Sequence, residues 1–154
     1  MHALTLQHVP PELIGRTAGD VLVRQPKTLP VDITVDQARA CFTDDHVHLL
    51  LLTESGRLVG TLLRTDLGDN LDGTDLALLH SRMVDRTTAP TTPAEQSLTL
   101  LRRSGQRRLA VIDDNGTLLG MLCLKRSLTG FCSDADVAAR AAERAVRTNG
   151  AARG

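Results

Sequence analysis

The stretch Glu54-Ser-Gly-Arg-Leu-Val-Gly-Thr-Leu-Leu-Arg-Thr-Asp66 returns sixty residues later as Asp114-Asn-Gly-Thr-Leu-Leu-Gly-Met-Leu-Cys-Leu-Lys-Arg126. Gly56 matches Gly116, Leu58 matches Leu118, Gly60 matches Gly120 and Leu62 matches Leu122. At the end of the copies Asp66 stands against Arg126. Each copy reads as a turn, with glycine where the backbone needs positive φ, followed by an apolar strand.

Upstream of each copy lies a short apolar run, Leu49–Thr53 in one and Leu109–Ile112 in the other. Runs this short, bounded by polar residues, predict strands buried on both faces. Leu49–Leu63 is therefore expected to be a hairpin. Val35, Ala38, Cys41 and Phe42 recur at helical spacing and predict a helix over Val35–Phe42. The counterpart helix is Ala94–Ser104, with Leu98 and Leu101 on its apolar face and Pro93 in its first turn. Thr28-Leu29-Pro30 and Thr88-Ala89-Pro90 predict short extended pieces, because a residue before proline is driven toward β. Arg64–Met83 is expected to be helical, interrupted at Gly68-Asp-Asn70 and Asp72-Gly73. Thr17-Ala-Gly-Asp20 and Ser133-Asp-Ala-Asp136 have the form of capping boxes, the latter opening an Ala/Arg-rich helix over Val137–Arg147.

The expected architecture is α+β: two β-α-β-β-α repeats paired about a pseudo-twofold axis. Residues 1–16 read as a leader, 17–80 and 81–132 as the repeats, and 133–154 as a C-terminal helix and tail. A period near sixty with only two copies argues against a solenoid.

Composition narrows the function. Among 154 residues, eighteen basic side chains balance eighteen acidic ones, so no global charge draws the chain to nucleic acid or a membrane surface. The absence of Trp and Tyr removes the usual stacking platforms for single strands. Cys41, Cys123 and Cys132 have no metal-like or disulfide-framework spacing, which points to a reducing compartment. No signal peptide or membrane-spanning run is recognisable, so a cytoplasmic protein is expected. Asp44, Asp45, His46 and His48 lack a third histidine or cysteine nearby, and no metal site is expected. Motifs for a serine hydrolase, a phosphate loop or a zinc protease are missing. Arg102-Arg103 and Gln106-Arg-Arg108 form a local basic cluster.

Two strand-helix-hairpin units, one ending in Gly60-Thr-Leu-Leu-Arg-Thr-Asp66, resemble the tandem cystathionine-β-synthase (CBS) domain pair, whose motif is Gly-x-x-(Thr/Ser)-x-x-Asp. The resemblance covers roughly residues 17–130. Ser104-Gly-Gln-Arg-Arg-Leu-Ala-Val-Ile-Asp113 is similar to the family's run before the hairpin, with Ala110 in place of proline. The first copy keeps the glycine and aspartate but has Leu63 at the hydroxyl position. The second keeps only Gly120, with Cys123 and Arg126 at the other places.

The resemblance implies a regulatory module without catalysis or a required cofactor. Its expected ligand is an adenosine compound such as AMP, ADP, ATP or S-adenosylmethionine, and its expected partners are a second copy of the chain and a regulated protein. In the family the aspartate accepts the ribose hydroxyls, which suits a carboxylate with two acceptor oxygens. The implied first site is Asp66 with Leu63, Arg64, Thr65, Thr28 and Pro30, where Thr65 could replace the lost hydroxyl and Arg64 could meet a phosphate. A second cleft would draw on Arg126, Cys123, Lys125, Thr88 and Arg108. A guanidinium cannot accept from a diol, so at most one conventional nucleoside site is expected, beside Asp66. The alternative is a degenerate scaffold that binds no nucleotide and acts by protein–protein association.

Overall fold

The computed structural model describes residues 9–136, 139 and 142. Most of the expected helix over Val137–Arg147 and residues 1–8 of the expected leader lie outside the described residues. Element order is α1 (Ala18–Val21), β1 (Leu29–Pro30), α2 (Val35–Cys41), β2 (Leu49–Glu54) and β3 (Arg57–Leu63), followed by β4 (Thr87–Thr88), α3 (Ala94–Ser104), β5 (Arg108–Ile112) and β6 (Leu118–Cys123). The fold is α+β, with two three-stranded sheets ordered β1-β2-β3 and β4-β5-β6. In each, the short first strand runs parallel to the central strand and the third closes an antiparallel hairpin.

Local chemistry accounts for these elements. Ser55 (φ 53°) and Gly56 (φ 80°) both occupy the left-handed region, as a tight hairpin turn matching the twist of its strands requires. Thr34 and Gln37 cap α2 reciprocally: the Gln37 amide donates to Thr34 Oγ1 at 3.2 Å, and the Thr34 amide donates to Gln37 Oε1 at 2.8 Å. Gly105, at φ 71°, ends α3. Leu98 and Leu101 of α3 are fully buried with Leu109, Val111 and Leu122, each stabilising the fold by about 1.5–3 kcal/mol.

The pseudo-twofold relation is visible in single hydrogen bonds. The Leu58 amide donates to Gly116 O and the Leu118 amide to Gly56 O, both at 3.0 Å. A shift of sixty residues exchanges these two bonds. Leu49, Leu51, Leu58 and Ala110 form the buried core between the repeats.

Sequence order and spatial order differ at the start of each repeat. Val23 pairs with Met121 on the free edge of β6, and the Ala18 and Gly19 amides donate to Thr92 O and Pro90 O. The opening segment is thus part of the second sheet's core, where Leu13 and Ala18 are buried. Its counterpart, Ala77–His80 and Arg82, packs on the first sheet: Ala77 is buried there and Arg82 pairs with Thr61. These crossings explain the repeated glycines. A Cβ on Gly60 would meet the Ser81 side chain, and one on Gly120 would meet the Val23 carbonyl oxygen.

The helix expected over Arg64–Met83 is replaced by two short 3-10 turns, Arg64–Asp66 and Ala77–His80. Asp72 Oδ1 accepts from the Thr74 amide at 2.8 Å and its hydroxyl at 2.6 Å, a local turn that competes with helix. Arg39 Nη2 also donates to Gly68 O at 2.8 Å and Leu71 O at 3.3 Å, fixing carbonyls that a helix would need. After β6 the chain turns at Leu128 (φ 63°) and returns to pair Phe131 with Leu124. The box at Ser133 forms: its amide donates to Asp136 Oδ2 at 2.9 Å, and its hydroxyl accepts from the Asp136 amide at 3.1 Å.

Candidate functional site

Asp66 closes the 3-10 turn after β3, and its side chain is only 5% exposed. Its carboxylate is already engaged. Arg86 donates to both oxygens, Nη1 to Oδ2 at 2.8 Å and Nη2 to Oδ1 at 3.0 Å. The Leu63 amide donates to Oδ2 at 2.7 Å, and Arg82 Nε lies 3.9 Å from Oδ1. Burial would raise the Asp66 carboxyl, but the Arg86 and Leu63 hydrogen bonds and the Arg86 and Arg82 charges outweigh it, holding the group below its ordinary value. A carboxylate has about four acceptor positions. Arg86 and Leu63 fill three of them, leaving one on Oδ1 and no room for a diol unless Arg86 moves.

Arg86 sits just before β4, and its own carbonyl accepts from the Ala110 amide at 2.9 Å. A proline at 110 could not donate that bond. The alanine in the run before the second hairpin therefore helps hold the residue that closes on Asp66. Its distance from Asp66 in the chain gave sequence reasoning no signal for Arg86.

The other residues expected at the first site are dispersed. Arg64 Nη2 donates to the carbonyls of Phe42 (2.9 Å), Val47 (3.2 Å) and Asp44 (3.3 Å), and the guanidinium lies over the Phe42 ring at 5.2 Å. Its role here is to tie the loop after α2. Thr65, Thr28 and Pro30 are exposed. Pro30 faces Thr53 in β2, whereas Leu63, just before the Asp66 turn, faces Leu49 at the other end of that strand. Four residues of strand separate these positions by about 13 Å. Leu63 and Asp66 are brought together; Pro30 is not brought to them.

In the second repeat Arg108 and Cys123 are register partners at one end of the sheet. Cys123 is buried, while Lys125 and Arg126 are exposed. Thr88 lies farther along β5, against Val111, with its hydroxyl 3.4 Å from Ser97 Oγ.

One residue feels charges from both repeats. His48 precedes β2 and is half-buried. Burial, then the charges of Arg108, Arg107, Arg64 and His46, depress it from 6.5 to about 4. The imidazole is neutral at pH 7 and sits in positive potential from both repeats. Arg64 belongs to the turn that carries Asp66, so this basic edge and the carboxylate lie at the same end of the first sheet. Among the described residues no cluster has the makeup of a metal site.

A family model for the CBS domain matches residues 18–72 and again 82–126. The chain is a tandem CBS-domain protein. Its CBS pair is similar to that of a Shewanella oneidensis MR-1 protein described as a Mg2+ transporter, at 24% identity over 73% of this chain and 67% of that one, with a TM-score of 0.62. It is also similar to CBSX2 solved with AMP, at 22% identity over 74% and 93% of the two chains, TM-score 0.59. A third similar structure is the cytosolic domain of the Mg2+ channel MgtE solved with ATP, at 20% identity over 71% and 46%, TM-score 0.56. At these identities the likeness shows the fold. No curated protein is significantly similar to the chain. No helix among the described residues is long and apolar enough to cross a membrane.

Proposed function

We propose that this CBS pair is a regulatory module that binds a phosphate-bearing adenosine ligand (AMP, ADP or ATP class) at the cleft beside Asp66. The convergence of His48 with Arg64, Arg107 and Arg108 carries this reading. With Arg64 Nη2 held by loop carbonyls, its Nη1 and Nε, the neutral imidazole and the second repeat's Arg107 and Arg108 offer donors to a phosphate, while similar CBS pairs have been solved with AMP and ATP. The same positive edge disfavours S-adenosylmethionine, whose sulfonium is cationic. A ligand that bridges both repeats acts by preferring one arrangement of them over another. The reading assigns the chain regulation and no catalysis, in the cytoplasm, as a homodimer that passes the signal to another protein.

One observation favours a second reading, a scaffold without nucleotide: Arg86 engages both oxygens of the Asp66 carboxylate. Calorimetric unfolding with AMP, ADP, ATP, NAD and S-adenosylmethionine separates the two. A ligand at a hundred times its Kd stabilises by about 2.7 kcal/mol, a rise of about 5–10 °C for a chain of this size. A rise with the phosphate-bearing compounds and none with S-adenosylmethionine supports the sensor. No rise with any of the five leaves the scaffold.

A further inference from the structure

We propose that Cys123 and Cys132 are a redox-convertible pair, the site of a reversible intramolecular disulfide. The inference is independent of the nucleotide reading. After β6 the chain doubles back and pairs Phe131 with Leu124 in antiparallel sense. The Cys132 amide donates to Cys123 O at 2.7 Å, and the Lys125 amide donates to Gly130 O at 2.8 Å. This pattern sets Cys123 and Cys132 directly across from one another with their side chains on one face of the ribbon. Residues facing each other in a hydrogen-bonded antiparallel pair have Cα atoms about 5.5 Å apart, within the range of about 4.4–6.8 Å that a disulfide spans.

Both residues carry thiols and pack in one cluster with Val23. Cys123 is 3% and Cys132 1% exposed. Cys41 packs against the core of the other repeat and is not part of this cluster. Both thiols are shielded from solvent, so reaction requires the 127–132 segment to lift. That segment is an outer return on β6, exposed from Lys125 to Thr129, with Leu128 at φ 63° and a clasp in which Arg102 Nη2 donates to Leu128 O at 2.7 Å. Its opening leaves the β4-β5-β6 ladder intact.

With hydrogen peroxide as oxidant, the thiolate of one cysteine attacks an oxygen, the O–O bond breaks, and a sulfenic acid and hydroxide form. The second thiol then displaces the sulfenic oxygen, which leaves as water after protonation, and the S–S bond forms. Two thiols and one peroxide give one disulfide and two waters, with two electrons passing from sulfur to oxygen. A dithiol reductant reverses the link by exchange. The disulfide fixes the 127–132 return against the end of β6, beside Lys125 and Arg126 and against the register partner Arg108. The oxidation state thereby sets the freedom of the second repeat's exposed basic turn.

The test is native-state oxidation of the full chain with a small excess of hydrogen peroxide, followed by alkylation and non-reducing peptide mapping. The expected result is a Cys123–Cys132 linked peptide, loss of two hydrogens from the monomer mass, Cys41 still alkylated, and full recovery with dithiothreitol. Cys132→Ser should abolish the link without creating a Cys41–Cys123 one. Retention of all three thiols overturns the proposal, as does a link through Cys41, an intermolecular dimer, or conversion of either cysteine to sulfinic acid without a link.

Discussion

Removing the Arg86 guanidinium tests how the first cleft is closed. The pair with Asp66 is bidentate, and the side chains are 8% and 5% exposed. Two unit charges about 4 Å apart attract by about 4 kcal/mol at an effective dielectric constant near 20. Truncating one member of a buried pair costs about 3–5 kcal/mol, because the other is stranded. Asp66 would keep the Leu63 amide and the nearby Arg82, so Arg86→Ala falls at the lower end, about 3 kcal/mol. For a chain of this size that lowers Tm by about 6–12 °C. Asp66→Ala strands Arg86 instead, and the double variant strands neither. Urea unfolding at pH 7, followed by far-ultraviolet circular dichroism, should show a coupling of about 1.5 kcal/mol or more. Because the Asp66 carboxyl is held low, the pair's contribution is complete above the unfolded value of about 3.9 and is lost as pH falls through the folded value; Arg86→Ala should flatten that acid limb. A cost below about 1 kcal/mol, ordinary for exposed pairs such as Arg39–Asp36, or strict additivity in the double variant, would refute the argument.

Proton NMR should find His48 titrating near 4, as its surroundings imply. Between about 4 and 6.5 the unfolded chain binds a proton that the folded chain does not, so His48 makes stability rise with pH over that window and adds no slope above it. A His48 value at or above 6.5 would remove the positive edge from the functional proposal. Gly120→Ala places a methyl group against the Val23 carbonyl, and Gly60→Ala places one against Ser81 Cβ and Oγ and Leu78 Cδ1. Each substitution should cost about 1–3 kcal/mol by overpacking, measured by urea unfolding; a cost near zero at either position would contradict the close crossing.

Much of the fold was legible because its signals are local. The apolar runs gave the strands of both hairpins to within a residue or two. Pro93 and Gly105 bracket α3, which spans Ala94–Ser104 as its spacing predicts. The Arg64–Met83 helix failed because leucines at helical spacing were outweighed by Asp72 and by Arg39, a side chain from another element that captures the loop carbonyls. The site was less legible for a related reason. Asp66 was found by its motif, but what its carboxylate does depends on Arg86 from beyond the repeat. Arg64 looked ready for a phosphate, yet three carbonyls hold one of its nitrogens. His48 becomes informative only when β2 and β5 face each other.

The exchange of opening segments bears on how the protein comes apart. Val23 is a floor for the second hairpin, and Ala77 and Arg82 are a floor for the first. A cut between β3 and Ala77 would leave each fragment with a part that completes its sibling and without a part that completes itself. Severing the exposed loop near Asp69-Asn70 should therefore leave two pieces that are poorly ordered when separate and regain structure on mixing.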